Sequence, residues 1–570
     1  MPLDVGELER SHGARPRRVS ISPEGSASPR PPRSARASRV RRRLGPAPGL
    51  PRAGEPSDGS ASAHRLTDGS VVFSPKVLFI ALDAASRDLV EEWSGQGLLP
   101  NLAALRRAGS FGEVVNAPAI YTGSVWPSLW TGTTPGRHGC YYCEQLAPGS
   151  YEIADFFGRD VKRPPFWNAL SRSGRRVALF DVPKAPLCEG LNGIQIVDWG
   201  THDADVPACS WPAPLIDEVH ACFGASRFRR CDWVMDRDDG ERVLREMLLR
   251  RIETKVAIAE DLLQREPWDL FMLGFGDSHC VGHQYWHVHD RSHPKHDPTV
   301  RAEIGDPIRD VYVALDRAVG RLVGLVAPET EVVVLCTHRM SAHYDATHLL
   351  DEVLRRLEGH PAPAMRGFLD TARRWWKRLP LRFTERFASL ARAVNRMPDA
   401  DDRSRRRYFL VPTNANSAGI RLNLVGREPH GKVRPGAEAD AVVARLAADL
   451  RELIEPASGR PLVKEVIRSA EEFPGENVDL LPDLFVRWNR DEPITGASSA
   501  RIGIVSGEDT STRRTGDHRP GGAFFVRGPS AEAGVQLPSV HDEDFAPTLA
   551  SLLGVSLADV DGRSFLRPRS

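Results

Sequence analysis

Apolar positions follow two rhythms along the chain. Several segments carry short continuous apolar runs: Val77–Leu82, "RRVALFDVP" (175–183), "WDLFMLGFG" (268–276) and "TEVVVLCTH" (330–338). Runs of that length read as strands buried on both faces. Between them, apolar residues recur every three or four positions. "SRDLVEEWSGQGLLPNLAALRRAG" has this helical spacing and a stop at Gly109, and 240–266 and 311–326 read as long amphipathic helices. Another strand, "AFFVRG", comes after "GDHRPGG", and 542–565 holds a closing helix and turn. Strands alternating with helices predict an α/β fold, a mostly parallel central sheet with helices on both faces.

Two stretches break the alternation. Residues 1–74 are rich in Arg, Pro, Ser and Gly ("RPPRSARASRVRRR") and lack the apolar surface to order themselves. They read as a disordered tail or as residues upstream of the true start, with an electrostatic arm for an anionic partner as the alternative. The globular domain is then 75–570. Within it, 355–410 ("FLDTARRWWKRLPLRFTERFASLARAVNRM") is basic and aromatic on a helical period, which predicts a helical cap insertion; contact with nucleic acid or a membrane surface is the other use of such a composition.

Composition narrows the picture. Hydrophobic residues make up 41% and the formal net charge is +1, so no global field favours nucleic acid or membrane. No apolar run approaches the roughly 18 residues of a membrane span, and no signal-peptide core is visible. A cytoplasmic chain acting on a small molecule is expected. The eight cysteines include one CxxC, Cys140 and Cys143, with no partner pair, and are read as mostly reduced and structural.

In open α/β sheets ligands bind outside the carboxyl ends of the strands. The first strand ends on Asp83. After 268–276 comes "DSHCVGHQYWHVHD", in which His279 and His283 stand four apart and share one helical face, a spacing suited to one metal ion; His287 extends that stripe. After 330–338 stands His338, and "GDHRPGG" supplies His518. Each histidine alone reads as structural, but four such positions at one sheet edge point to metal. "IYTGSVWPSLWTGTTPGRHG" (120–139) predicts a short helix near Ser124–Trp130, with Thr122 at its N-terminus, where free N–H groups suit a phosphate. Pro127 fits if it lies in the first turn. An ordinary N-cap is the alternative for Thr122.

These residues resemble the alkaline phosphatase superfamily, in its type I phosphodiesterase/nucleotide pyrophosphatase branch. "VLFIALDAASRDLVEEWSGQGLLPNLAALRRAGSFG" is similar to its opening strand and helix, and "SVWPSLWTGTTPGRHG" to its nucleophile segment. "IRLNLVGREPHG", "LPDLFV" and "GDHRPGGAFFVRGP" resemble later landmarks. The resemblance implies an alkaline-phosphatase-like fold and a metal-dependent phosphoester hydrolase, most often of phosphodiesters. Thr122 would be the nucleophile, and Zn2+, as one or two ions, the cofactor. It assigns His283 and His518 to a first metal, and Asp83, His338 and Thr122 to a second. The chain departs from the family at three places. His279 stands where a first-site Asp is expected, Thr337 where the Asp of an Asp-His pair is expected, and Cys143 about where an Asn steadies the phosphate. The first site becomes His279, His283 and His518, three neutral ligands with an open position, and the second loses a carboxylate. A family member that binds a phosphorylated ligand without turning it over is the reading from another class, and sulfate or phosphonate ester hydrolysis is the neighbouring chemistry. The nucleophile segment lacks the Cys-x-Pro-x-Arg or Ser-x-Pro-x-Arg pattern of sulfatases.

Overall fold

The computed structural model of the chain describes residues 63–65, 71–200, 207–226, 231–235, 239–360, 400–414, 416–507 and 514–567. Most of the expected tail lies outside these residues; its described part is an antiparallel pair, Ala63–Arg65 with Val71–Phe73. Residues 361–399, the middle of the expected helical insertion, also lie outside them.

A nine-stranded sheet forms the centre. In chain order its strands are β1 (Val77–Leu82), β2 (Ser110–Val115), β3 (Val177–Phe180), β4 (Gly193–Val197), β5 (Cys209–Trp211), β6 (Leu270–Phe275), β7 (Glu331–Cys336), β8 (Gly522–Arg527) and β9 (Val540–His541). In space they run β9-β2-β8-β7-β1-β6-β3-β4-β5. Pairings β9–β2, β7–β1, β1–β6, β6–β3 and β3–β4 are parallel. Pairings β2–β8, β8–β7 and β4–β5 are antiparallel.

The continuous apolar run of β1 has a direct cause. Leu78, Ile80 and Leu82 enter one core, while Val77, Phe79 and Ala81 enter the other. Every β1 residue is buried, so polar alternation has no place there. Burying each large apolar side chain contributes about 1.5–3 kcal/mol. Helices α2 (Gly240–Leu263), α3 (Asp277–His289) and α4 (Pro307–Val323) cover the first face, and α1 (Tyr121–Thr131) and Phe545–Leu552 the second.

Boundaries moved where caps and breakers act. The stretch 86–109 is two helices, Arg87–Gly95 and Pro100–Ala108, because Gly97 takes φ 75° and Pro100 opens a new helix. Helix α4 starts earlier than the 311 expected, with Pro307 in the first turn and the Asp306 carboxylate accepting from Arg309 N at 3.3 Å. Among the described residues no helix is long and apolar enough to cross a membrane.

A second, four-stranded sheet follows the expected insertion in the chain. Strands Tyr408–Val411, Ser417–Leu422, Leu484–Trp488 and Val463–Arg468 pair antiparallel in that order. Helices Thr347–Glu358 and Ala437–Arg451 pack on it around Leu350, Leu354, Ile420, Leu446 and Val486.

Candidate functional site

Sheet register brings the site together. Val77 pairs with both Leu270 and Glu331, and Leu82 with both Phe275 and Cys336. The three central strands β6, β1 and β7 therefore end level, and the residues just beyond them, Gly276, Asp83 and Thr337, leave the sheet side by side.

Asp83 is 8% exposed. Its Oδ1 accepts from the Trp126 indole at 3.1 Å and from the Thr337 hydroxyl at 3.2 Å. Thr337 Oγ1 in turn accepts from Ala84 N at 2.9 Å. Thr337 thus stands where an acid was expected and donates to Asp83.

The histidines gather next to this corner. Helix α3 carries His279 and His283 on one face, as their spacing predicts, with ring centres 4.5 Å apart. His518 lies on a short strand, Gly516–Arg519, paired with Arg339–Ala342 just after His338. Its ring centre is 4.8 Å from His279, 4.5 Å from His283 and 4.5 Å from His338. One nitrogen from each of His279, His283 and His518 falls within 4.8 Å of the other two. His338 Nε2 meets His518 Nδ1 at 2.8 Å. Burial, then neighbouring His283 and His338, holds the His518 pKa well below the usual imidazole range. Burial, then the Lys184 charge, lowers His338 to about 3.

Buried imidazoles whose nitrogens converge can hold a divalent ion. Those of His279, His283 and His518 converge in this way, so the first position fits an ion. At the second, His338 Nδ1 is buried without a hydrogen bond among the described residues, but Asp83 Oδ1 is engaged by two donors.

Two other residues of the α3 segment lie elsewhere. The Asp277 carboxylate receives Arg251 Nε at 2.7 Å, in a pair whose side chains are 0% and 2% exposed. A kink at Tyr285 (φ −121°, ψ 15°) interrupts α3, and His287 binds Thr515 Oγ1 at 3.0 Å, with Glu241 3.5 Å away. His287 does not continue the stripe into the cluster.

Thr122 is the second residue of α1, half-buried in the first turn. The helix is longer than expected, and Pro127 lies inside it rather than in its first turn. A proline at that place leaves the Gly123 carbonyl without its helical donor. Lys184 Nζ donates to that carbonyl at 3.1 Å, and the Cys140 thiol approaches it at 3.6 Å. Lys184 adopts φ 56° to reach there. Gly123 also has no room for a side chain: a Cβ would come 1.7 Å from the Tyr141 carbonyl. The preceding Tyr121, pushed up to about 12 mainly by burial, donates from its phenol to the His518 carbonyl at 3.0 Å. All eight cysteines are free, and burial pushes the Cys140 thiol up to about 11.

Sequence reasoning missed several neighbours. Asn416 Nδ2 donates to Thr122 Oγ1 at 2.6 Å across 294 positions of sequence. Arg490 Nη1 donates to the His518 carbonyl at 2.9 Å, and its Nη2 to Asp517. Arg514 Nη1 lies 3.5 Å from His283 Nε2 while its other nitrogens hold the Asp232 carboxylate at 3.2 and 3.0 Å. Each depends on tertiary contact, and no spacing in the sequence pointed to them.

Residues 77–491 match the model of the family described as type I phosphodiesterase / nucleotide pyrophosphatase. No curated protein matches the sequence. Among solved structures the chain is similar to murine ectonucleotide pyrophosphatase / phosphodiesterase 5, at 13% identity and TM-score 0.47, over 85% of this chain and 97% of that one. The human protein of that name matches at 12% identity and TM-score 0.46, over 85% and 97% of the two chains. Phosphonoacetate hydrolase from Sinorhizobium meliloti, in complex with phosphonoformate, matches at 15% identity and TM-score 0.46, over 85% and 98%.

Proposed function

We propose, from the premise that this chain belongs to the type I phosphodiesterase / nucleotide pyrophosphatase family, that it is a metal-dependent hydrolase of phosphoesters, chiefly phosphodiesters. The observation that carries this reading is the buried cluster of His279, His283 and His518 at the strand-end edge that also bears Asp83, close to the helix turn bearing Thr122. Zinc, held by those imidazoles, would supply positive charge to the phosphoryl oxygens and acidify a bound water. A second ion would call on Asp83, His338 and Thr122.

Thr122 is the nucleophile in this reading. Its hydroxyl gives up a proton and its oxygen forms a bond to phosphorus as the bond to the leaving oxygen breaks. The departing alkoxide takes up a proton to leave as the alcohol. Water then cleaves the phospho-threonine and returns the hydroxyl to Thr122. The first-turn N–H groups of α1 and the Lys184 ammonium give this corner a positive field suited to an anionic phosphoryl group.

The Thr337 hydroxyl bound to Asp83 favours a second reading, a phosphoester-binding protein with little turnover. One variant separates the two. Thr122→Ala should lose at least about a thousandfold in kcat on bis-para-nitrophenyl phosphate with zinc added, while fold and metal content stay unchanged. Turnover in Thr122→Ala equal to that of the natural chain would reject Thr122 as nucleophile, and a natural chain inert on phosphodiesters, phosphomonoesters, phosphonates and sulfates alike would favour the binding protein.

A further inference from the structure

We propose that Asn416 is a further catalytic residue of this site, an N–H donor that aims the Thr122 oxygen and then holds the phosphoryl group it attacks. This rests on the phosphoester-hydrolase reading above and adds a group that neither the family resemblance nor the strand-end pattern supplies.

Asn416 belongs to the small four-stranded sheet, in the turn that opens the strand Ser417–Leu422. It is only 6% exposed. Its Nδ2 donates to Thr122 Oγ1 at 2.6 Å, so the amide grips the second residue of α1. The NH2 end of the amide makes the contact to Thr122, and its Oδ1 lies 3.2 Å from Ser417 Oγ. Ser417 Oγ donates its one proton to the Ala119 carbonyl at 2.5 Å. Ala119 sits at φ 67°, a conformation uncommon for a residue with a side chain, just before the helix that carries Thr122. The small sheet and the start of α1 are thus joined at two adjacent points.

The chemistry asks for such a group. A hydroxyl attacking phosphorus must point its oxygen along one line, and a fixed donor removes much of the rotational freedom of Thr122 Oγ1. As the new bond forms, charge spreads over the phosphoryl oxygens, and a pre-oriented neutral donor shielded from water stabilises it without reorganising. The position where relatives are expected to carry a phosphate-steadying Asn is Cys143 here, a weak donor. Asn416 brings a carboxamide to the nucleophile from another part of the chain. The small four-stranded sheet then forms one wall of the catalytic site.

The test uses the full chain with zinc restored and bis-para-nitrophenyl phosphate as probe. Asn416→Ala should lower kcat about a hundredfold with little change in KM, since the donor acts on the transition state. Metal content and melting temperature should stay near those of the natural chain. A second readout separates contact from scaffolding: the preference between the two phosphorothioate enantiomers of methyl para-nitrophenyl phosphate. A donor touching one non-bridging oxygen sets that preference, so it should shrink severalfold in Asn416→Ala. If Asn416→Ala loses thermal stability, the isosteric Asn416→Asp decides; replacing the donor by an acceptor, it should lose more activity than the alanine. Natural-chain kcat in Asn416→Asp, or an unchanged enantiomer preference in a variant that has lost kcat, overturns the proposal. If Thr122→Ala is inactive while both Asn416 variants are fully active, only the role of Asn416 falls. If Thr122→Ala turns over normally, the hydrolase reading itself falls.

Discussion

At the corner of His279, His283 and His518, ring centres stand 4.5 to 4.8 Å apart, and a strand and a helix present them to a shared space. At the corner of Asp83 and Thr337, a few residues away on the same sheet edge, the carboxylate is met by an indole and a hydroxyl. The first corner offers lone pairs to an incoming cation. The second has spent one oxygen's acceptor capacity on protein donors, and a cation must compete with them. Equal register of β6, β1 and β7 makes both corners, so the fold does not decide which one binds metal. In the proposed reading, the side chains at positions 279 and 337 would decide it.

The strongest way to break this contrast is to remove an imidazole. His279→Ala should abolish tight zinc binding at the first corner and lower phosphodiester turnover by about a thousandfold or more, as loss of a ligand removes the ion's contribution. Asp277→Ala should leave the ion in place. It strands the buried Arg251 guanidinium instead, at a cost to stability of about 3–5 kcal/mol. Elemental analysis after dialysis, with urea unfolding on each variant, separates the two; zinc lost from Asp277→Ala and kept by His279→Ala would move the ligand role to the carboxylate.

A milder change sharpens the second corner. Thr337→Asp replaces the donor to Asp83 with a second acid, so the metal-free protein should be destabilised by about 1–3 kcal/mol. Added zinc should restore that stability and raise the metal content by up to one equivalent. Unchanged metal content across a zinc titration would mean that the missing acid is not what limits this corner.

The smallest effect comes from a buried imidazole outside both corners. His138 accepts from Cys140 N at 3.1 Å and meets Ser128 Oγ at 3.0 Å, and burial lowers its pKa from 6.5 to about 3. Below pH 6.5 the unfolded chain takes up a proton at this position before the folded chain does. Its stabilising contribution is therefore complete above 6.5 and declines as pH falls toward 3, by up to about 1.4 kcal/mol per unit. In the zinc-loaded protein, His138→Gln should flatten the fall in unfolding free energy between pH 6.5 and 5. An identical slope in both proteins would remove His138 from the acid response.

Much of this molecule is legible in its sequence because the signals are local. An apolar run ending on Asp83 is a strand and its exit, and the four-residue interval from His279 to His283 fixes a shared face once α3 forms. His338 and His518 are legible for the same reason, since each stands close to an apolar run that forms a strand. Other features depend on distant partners and leave no periodic trace. Asn416 is one polar residue in "PTNANSAG", and only docking of the small sheet brings it to Thr122. The kink at Tyr285 removed His287 from the stripe, because ideal helical spacing cannot register a local departure in φ. The short edge strand Cys209–Trp211 carries little apolar pattern, since its neighbour β4 supplies the pairing.

Pro127 and Lys184 carry a lesson about how such a chain can change. The proline opens a gap in the helix ladder, and the lysine fills it through the Gly123 carbonyl. Replacing Pro127 by alanine would hand that carbonyl a helical donor and leave the ammonium in competition for its place; replacing Lys184 would leave the carbonyl poorly satisfied. Each substitution alone meets a penalty that the other relieves. The two positions form an epistatic pair, so the route by which one is exchanged runs through the other.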